Sequence, residues 1–281
     1  MNGERGPANG GRRTENPTAD AGRSSTGAGR RPPVASDHFS GISQAYAAFR
    51  PRYPRELFDY LASIVERHAR AWDCGAGNGQ ATLDLAARFD EVIATDVSAE
   101  QIARAPARPN VRWLVAPAES APIESASVDL TTIAQALHWF DHDRFYAEVR
   151  RVSARGAAIA AWTYAPPRMD GNLGAALRHF AYETVGAYWP PERQYVETEY
   201  RTIPFPFQRI EAPALSIREE WTPEQVAGYA RSWSATARYV AARGEDPVVG
   251  FEEELRSVWG DPSKRKTIMW PLILLAGRVE A

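Results

Sequence analysis

The fold is decided by a short glycine-rich stretch, Ala71-Trp72-Asp73-Cys74-Gly75-Ala76-Gly77-Asn78-Gly79-Gln80. Its apolar start is typical of a strand, and the residues after the glycines have the pattern of a helix. Glycine lets the backbone turn sharply and approach a ligand closely. The first turn of a helix presents free N–H groups and a positive potential. The stretch therefore predicts a ligand-binding turn between a strand and a helix.

The spacing of the glycines and two nearby acids indicate the kind of ligand. The third glycine falls four residues after Gly75, whereas the dinucleotide fingerprint needs it five residues after, where Gln80 stands. Asp73 ends the strand, where a carboxylate would repel a pyrophosphate but suits a cationic ligand. Asp96 ends the next predicted strand, where its carboxylate can accept both ribose hydroxyls. These features favour a nucleoside with an amino-acid or sulfonium end over a dinucleotide.

Strand-like and helix-like patterns alternate on both sides of this turn. Strands are predicted at residues 69–73, 91–95, 111–115, 128–133, 157–162 and 267–276. The helix-like segments between the first five predict βαβ units and a mostly parallel α/β sheet. Residues 165–213 interrupt the alternation with seven prolines and one helix near residues 173–188. We expect this segment to be an insertion or lid over the sheet.

The amino-acid composition limits the domain organisation and the partners that the chain can have. Residues 1–36 carry six arginines, three acids and few apolar side chains, so we expect a disordered tail, followed by a single domain over 37–281. The tail's +3 charge leaves −5 on that domain, which predicts no nucleic-acid partner. The longest apolar run is shorter than a membrane span, which predicts no membrane partner. The oligomeric state stays open.

The cysteine and histidine content indicates whether a disulfide or a metal site can form and which cellular compartment suits the protein. Cys74 is the single cysteine, so neither an intrachain disulfide nor a cysteine-based zinc cage can form. Asp141 and His142 do not make a spaced ligand set, and we expect no metal site. The cysteine usage is compatible with a reducing compartment and predicts a cytoplasmic location.

The glycine-rich stretch together with Asp96 resembles the first motifs of the class I S-adenosylmethionine-dependent methyltransferases. Four outer motifs are similar to the small-molecule group related to trans-aconitate methyltransferase: Tyr46-x-x-x-Arg50-Pro51-x-Tyr53-Pro54, Gln135-x-x-His138-Trp139-Phe140, Ser232-Trp233-Ser234 and Trp270-Pro271-Leu272. The resemblance spans residues 38–278. It implies a Rossmann-like, mostly parallel seven-stranded sheet with helices on both faces, and a helical insertion or lid after the fifth strand.

The resemblance also implies a reaction and a site. A methyl group would pass from S-adenosylmethionine to a small organic acceptor, most readily at a carboxylate or hydroxyl oxygen, leaving S-adenosylhomocysteine. The implied cofactor-binding residues are Asp73, Gly75, Gly77, Gly79, Asp96, Val97, Ala118, Glu119, Gln135, Tyr46 and Arg50. Substrate contacts are expected from Trp139, Ser232 and Trp233. Only a hydroxyl acceptor needs a base at neutral pH, and His138 is the candidate.

Aromatic residues could complete the site. We expect Tyr46, Trp139 and Trp162 to face the cationic sulfonium. We expect the acceptor pocket to be enclosed by Trp139, Trp162, Trp189 and Trp233.

Other interpretations remain open at this point. A silent S-adenosylmethionine-binding regulator or scaffold would keep the donor site without turnover. A nicotinamide-dependent oxidoreductase is the third alternative, although the glycine spacing argues against it. His138, Arg50 and Glu119 also have ordinary structural interpretations as a packed histidine, a surface charge and a loop acid.

Overall fold

The computed structural model describes residues 50–280, so the predicted tail and Tyr46 lie outside the described residues. The strands in this part of the chain are β1 Arg70–Cys74, β2 Glu91–Asp96, β3 Val111–Val115, β4 Val128–Ala134, β5 Ser153–Tyr164, β6 Gln208–Arg209, β7 Ser216–Trp221 and β8 Lys266–Arg278.

The α-helices in the same range are α1 Arg55–Ser63, α2 Thr82–Ala86, α3 Ala99–Ala103, α4 His142–Val152, α5 Gly171–Arg178, α6 Arg193–Glu197, α7 Pro223–Arg231, α8 Ser234–Arg243 and α9 Val248–Trp259. A π-helical turn, His179–Thr184, continues α5. Side-chain caps explain several helix starts, because the Ser98 and Asp141 oxygens accept backbone N–H groups of α3 and α4. None of the described helices is long and apolar enough to cross a membrane.

The strands form one sheet in the order β3-β2-β1-β4-β5-β8-β6. The first five strands are parallel to their neighbours, whereas β8 runs antiparallel to both β5 and β6. This order confirms the predicted Rossmann-like, mostly parallel sheet. The chain switches direction across the sheet between β1 and β4, and ligands of such folds bind at the carboxyl ends of strands beside that point.

The long strand β8 joins the sheet to an eighth strand. Residues 272–278 pair with β5, while residues 266–271 pair with β7, which lies off the main path. Pro271 stands where the strand passes from one partner to the other. The sequence predicted a strand at 267–276 but not this double role.

The helices after β5 form a larger layer than the predicted insertion. The segments 171–197 and 223–259 supply most of one apolar cluster, which Trp221 of β7 and Trp270 of β8 complete. Helix α6 differs, because its Val196 packs in the cluster that contains Trp72. The second segment follows the predicted boundary at residue 213. We call these two segments, together with β7, the helical layer.

The two faces of the sheet carry separate apolar clusters. One contains Trp72, Ile93 and Phe145, and the other contains Phe58 and Trp162. Trp162 is fully buried, with its ring edge-on to Phe58 at 6.3 Å between centroids. The expectation that Trp162 faces a bound sulfonium is therefore wrong, because its side chain packs under α1.

Gly277 offers a test of how tightly β8 and β6 are packed. An added Cβ would lie 2.7 Å from the Phe207 Cβ and 2.9 Å from a Phe205 ring carbon. We expect Gly277→Ala to lower the free energy of unfolding by about 1–3 kcal/mol in a urea titration. Gly250→Ala in α9 is the control, since its Cβ meets no described atom within 4 Å and alanine favours helix by about 1 kcal/mol. Equal effects of the two substitutions would contradict this packing.

Candidate functional site

The glycine loop connects β1 to α2 at the carboxyl edge of the sheet. Gly75 has φ +70°, and an added Cβ there would lie 2.6 Å from the Ala136 Cβ, so the loop packs directly on the segment after β4. Gly77 has φ +56°, and an added Cβ would meet no described atom within 4 Å. A close backbone approach at Gly75 and open space over Gly77 fit a cradle for a ligand.

Asp96 links this loop to the end of β2. Its Oδ2 accepts a hydrogen bond from the Gly77 N–H at 2.8 Å, and its Oδ1 accepts one from the Ser98 N–H at 2.9 Å. These two bonds hold the carboxylate at the end of β2, beside the glycine loop. Val97, the next residue, exposes 44% of its surface and offers an apolar face beside the carboxylate.

Asp73 lies beneath the loop and is fully buried. Its Oδ2 accepts a hydrogen bond from the Thr82 hydroxyl at 2.6 Å, and its Oδ1 accepts one from the Thr132 hydroxyl at 3.0 Å. Burial raises the pKa of this carboxyl to about 6, and the negative charge of Asp96 acts in the same direction. The structure thus places Asp73 as a support for the turn, so its predicted contact with a cationic group stays a prediction.

The segment after β3 carries two further predicted residues. Ala118 is buried in the core beneath the site. Glu119 is half-buried, and its Oε1 accepts a hydrogen bond from the Asp141 N–H at 3.0 Å. This bond ties the segment to the start of α4, which positions Glu119 beside the loop that follows β4.

A cavity of about 120 Å³ lies between that loop and the helical layer. Gln135, His138 and Trp139 form one wall, and Trp189 and Trp233 of the helical layer form another. Of the tryptophans predicted to enclose the acceptor, Trp139, Trp189 and Trp233 line this cavity, whereas Trp162 does not. The loop at 135–140 contributes three of the lining residues, and its role at donor and acceptor stays a prediction.

Gln135 has an unusual backbone and an unpaired amide group. Its φ is +59°, a conformation that a residue with a side chain rarely adopts. Its Oε1 accepts a hydrogen bond from the Thr163 hydroxyl at 2.8 Å. Its Nε2 is buried and has no hydrogen-bond partner among residues 50–280. Strain and an orphaned donor on a cavity wall point to a polar ligand there.

His138 is held by a tyrosine that sequence reasoning missed. Its Nδ1 lies 2.8 Å from the hydroxyl of Tyr200, which is 1% exposed. Burial lowers the pKa of His138 to about 3, with the charges of Arg193 and His142 adding to the effect. The imidazole is therefore neutral at pH 7. Tyr200 lies 62 residues away in a loop without a motif, so no local signal could have identified it.

The cavity has a basic wall. Among the described residues that line it are Arg50, Arg178 and Arg193, and the same set includes no aspartate or glutamate. Arg50 Nη1 donates to the Tyr164 hydroxyl at 2.7 Å. The Arg193 guanidinium lies 4.3 Å from the centroid of the Trp189 ring. This arrangement favours an anion inside the cavity.

Ser232 does not belong to the cavity wall. Its Oγ is buried and donates to the Tyr229 carbonyl at 2.6 Å, while its own carbonyl accepts from Arg50 Nη2 at 3.3 Å. Its predicted side-chain contact with substrate needs correction, because Ser234 lines the cavity instead. Within residues 50–280, no group of three or more histidine, cysteine or acidic side chains could hold a metal ion.

Comparison with known proteins identifies the class. A family model described as a methyltransferase domain matches residues 72–161. A Dictyostelium discoideum protein named as a methyltransferase is 34% identical over 257 residues, covering 89% of this chain and 97% of its own. An uncharacterized methyltransferase of Mycobacterium tuberculosis is 33% identical over 189 residues, covering 66% of this chain and 72% of its own.

A solved structure agrees with these relatives. It is described as a type II methyltransferase from Anaeromyxobacter dehalogenans, with 44% identity and a TM-score of 0.77 over 82% of this chain and 98% of that one. The fold and the glycine-loop edge thus define an α/β methyltransferase. The chain belongs to the S-adenosylmethionine-dependent methyltransferase family, and the nicotinamide alternative is excluded. The subgroup related to trans-aconitate methyltransferase stays a prediction.

Asp73 makes stability depend on pH in a defined direction. Its native pKa of about 6 exceeds the ordinary value of 3.8, so between these values the folded chain binds the extra proton and loses stability as pH rises. We expect the free energy of unfolding of Asp73→Asn, relative to that of the parent chain, to rise by up to about 3 kcal/mol between pH 4 and pH 7.5. One pKa unit corresponds to about 1.36 kcal/mol. Urea titrations at both pH values measure this difference, and a pH-independent difference would contradict the shifted pKa.

Asp96 should contribute to donor affinity. We expect Asp96→Ala to weaken S-adenosylmethionine binding by about 1.5–3 kcal/mol in calorimetry, since hydrogen bonds to a charged group are lost. Glu91→Ala is the matched control, because Glu91 begins the same strand and its carboxylate pairs with Arg70 at 2.7 Å, at the other end from Asp96. Donor affinity that is equal in the two variants would remove Asp96 from the site.

Proposed function

We propose that this methyltransferase transfers the methyl group to a carboxylate oxygen of a small organic acid held in the cavity. The observation that carries the proposal is the basic wall, in which the described lining residues include three arginines and no acid. A guanidinium group binds a carboxylate with two parallel hydrogen bonds, so it both attracts and orients such an acceptor. A neutral alcohol would gain much less from this wall.

The state of His138 also supports an acid over an alcohol. A catalytic base works best when its pKa lies near the operating pH. His138, with a pKa of about 3, is a weak proton acceptor at pH 7. A carboxylic acid is already ionised at that pH and needs no base, so the proposed reaction does not require proton transfer.

The cofactor supplies a methyl group that its sulfonium has already activated. In the proposed donor site, Asp96 accepts the ribose hydroxyls and Val97 covers the adenine. The glycine loop of Gly75, Gly77 and Gly79 provides the cradle, with Ala118 and Glu119 at its far side. Arg50, on the cavity wall, is proposed for the amino-acid carboxylate of the donor. This leaves Arg178 and Arg193 of the helical layer for the acceptor.

The protein's contribution in this proposal is to position the reactants. The acceptor oxygen forms a bond to the methyl carbon as the carbon–sulfur bond breaks, giving a methyl ester and S-adenosylhomocysteine. Orientation of two reactants can lower a barrier by about 7–11 kcal/mol. Trp139, Trp189 and Trp233 exclude water from the cavity, and their π faces favour a nearby cation.

A paired acceptor screen tests the proposed function. The full chain is incubated with methyl-labelled S-adenosylmethionine and with carboxylic acids, each matched to the alcohol of the same carbon skeleton. We expect label in a base-labile methyl ester and only with the acids. Label on the alcohols would assign hydroxyl methylation instead, and no labelled product with any acid would favour the regulator or scaffold alternative.

Arg193 should determine affinity for the acid. We expect Arg193→Gln to raise KM for the acid at least about 10-fold, because a hydrogen bond to a charged group is worth about 1.5–3 kcal/mol. Arg201→Gln is the matched control, since Arg201 follows α6 and pairs with Glu199 at 2.7 Å but does not line the cavity. Equal KM values for the two variants would contradict the role of the basic wall.

A further inference from the structure

The positive charges on the cavity wall are not all available to an acceptor. Arg193 has an acidic partner, because its Nε lies 3.6 Å from Glu197 Oε1. Arg50 donates to the Tyr164 hydroxyl and is proposed for the carboxylate of the donor. Arg178 also lines the cavity, and it has no ion pair within residues 50–280. Arg178 is therefore the cation of this wall that no described acid balances.

An acceptor with several carboxylates would exceed this supply of positive charge. A carboxylate that leaves water is stable only where a cation or hydrogen-bond donors replace the water. Arg178 provides the uncompensated charge for one carboxylate. Arg193 provides donors, since its Nε is buried and makes no hydrogen bond in the described part of the chain. A second or third carboxylate would lie against the remaining, uncharged part of the wall.

That part of the wall, on the side of the helical layer, is mainly carbon surface. Trp189 and Trp233 line it with their ring centroids 5.4 Å apart, and Leu177 lies on the same wall. The Trp189 Nε1 donates to the Ala181 carbonyl at 2.8 Å, so the polar edge of this indole is satisfied within the layer. Carbon surface of this kind stabilises an apolar ligand group by removing it from water.

Tyr182 extends this carbon surface to the mouth of the cavity. It lines the cavity but exposes 46% of its surface, so it lies where the cavity meets solvent. It belongs to the π-helical turn His179–Thr184 that continues α5. Such turns are rare within helices and are frequent at functional sites. An exposed aromatic side chain beside a cavity offers a surface for the outer part of a ligand.

We propose that the acceptor is a monocarboxylic acid with an apolar body, and that Tyr182 is a specificity-determining residue for that body. This inference rests on the proposed function, because it takes the acceptor to be an acid. Arg178 and Arg193 hold the single carboxylate. The body packs on Trp189 and Trp233 and reaches Tyr182 at the mouth of the cavity.

The first test compares acids with different bodies. The full chain is assayed with methyl-labelled S-adenosylmethionine and with phenylacetate, cyclohexylacetate, propionate and propane-1,2,3-tricarboxylate. We expect kcat/KM for the two ring-bearing acids to exceed that for propionate at least about 10-fold, since one methylene group in an apolar pocket already changes specificity by about this factor. Equal values for propionate and phenylacetate, or a preference for the tricarboxylate, would overturn the inference and leave the proposed function standing.

The second test separates specificity from a structural role of Tyr182. We expect Tyr182→Ser to raise KM for phenylacetate about 5-fold, because an aromatic contact is lost, and to leave KM for propionate unchanged. Tyr182→Leu keeps the carbon surface and should lose less. Val249→Ser is the matched control, since Val249 exposes 54% of its surface on α9 of the same layer and does not line the cavity. An equal rise in KM for both acids would overturn the role of Tyr182.

A binding measurement separates this inference from the proposed function, because it needs no turnover. With S-adenosylhomocysteine added, phenylacetate should bind more tightly than the tricarboxylate in calorimetry, and Tyr182→Ser should weaken only the binding of phenylacetate. If the parent chain methylates no acid but keeps this preference, the proposed function fails alone. If phenylacetate does not bind, or binds no better than the tricarboxylate, the inference is overturned.

Discussion

The hydrogen bond from the Gly77 N–H to Asp96 Oδ2 is the interaction on which the rest of the site depends. It joins the turn after β1 to the end of β2, and the parallel register of these strands, with Cys74 beside Thr95, brings the two groups together. Asp73 supports the same turn from below through two threonine hydroxyls. Because the glycine loop also packs on Ala136, its shape determines where the next loop, and hence the cavity wall, can lie.

The two halves of the proposed site, one for the donor and one for the acceptor, are built in different ways. The donor half consists mainly of backbone and of short side chains at the ends of neighbouring strands, so its geometry follows from the sheet. The acceptor half consists of long side chains, Arg178, Arg193 and Trp233, which the helical layer brings over the sheet edge. These side chains lie on helices that pack on one another through aromatic clusters, so they can be replaced by other residues without disturbing the donor half. This division allows one fold to keep one cofactor while its acceptor changes.

The same division explains what could be predicted from the sequence. The loop from Asp73 to Gly79 and the acid at Asp96 were identifiable because strand ends and turn glycines leave a local spacing. Tyr200 and Arg193 could not be found, since tertiary packing alone brings them to His138. Trp162 was misplaced because β5 is buried on both faces, so its sequence shows no alternation that tells one face from the other. Ser232 and Ser234 differ by two residues, which is within the uncertainty of a helix boundary.

The charges in the site suit the proposed reaction. The donor half contains the carboxyl groups of Asp73, Asp96 and Glu119, while the cavity wall carries arginines and a neutral histidine. In the proposed reaction a sulfonium cation and a carboxylate anion combine, so both charges diminish as the new bond forms. Water stabilises the separated charges more than the transition state, and an enclosed aromatic wall removes that water. The burial that makes His138 a poor base does not hinder this reaction, because a carboxylate acceptor requires no proton transfer.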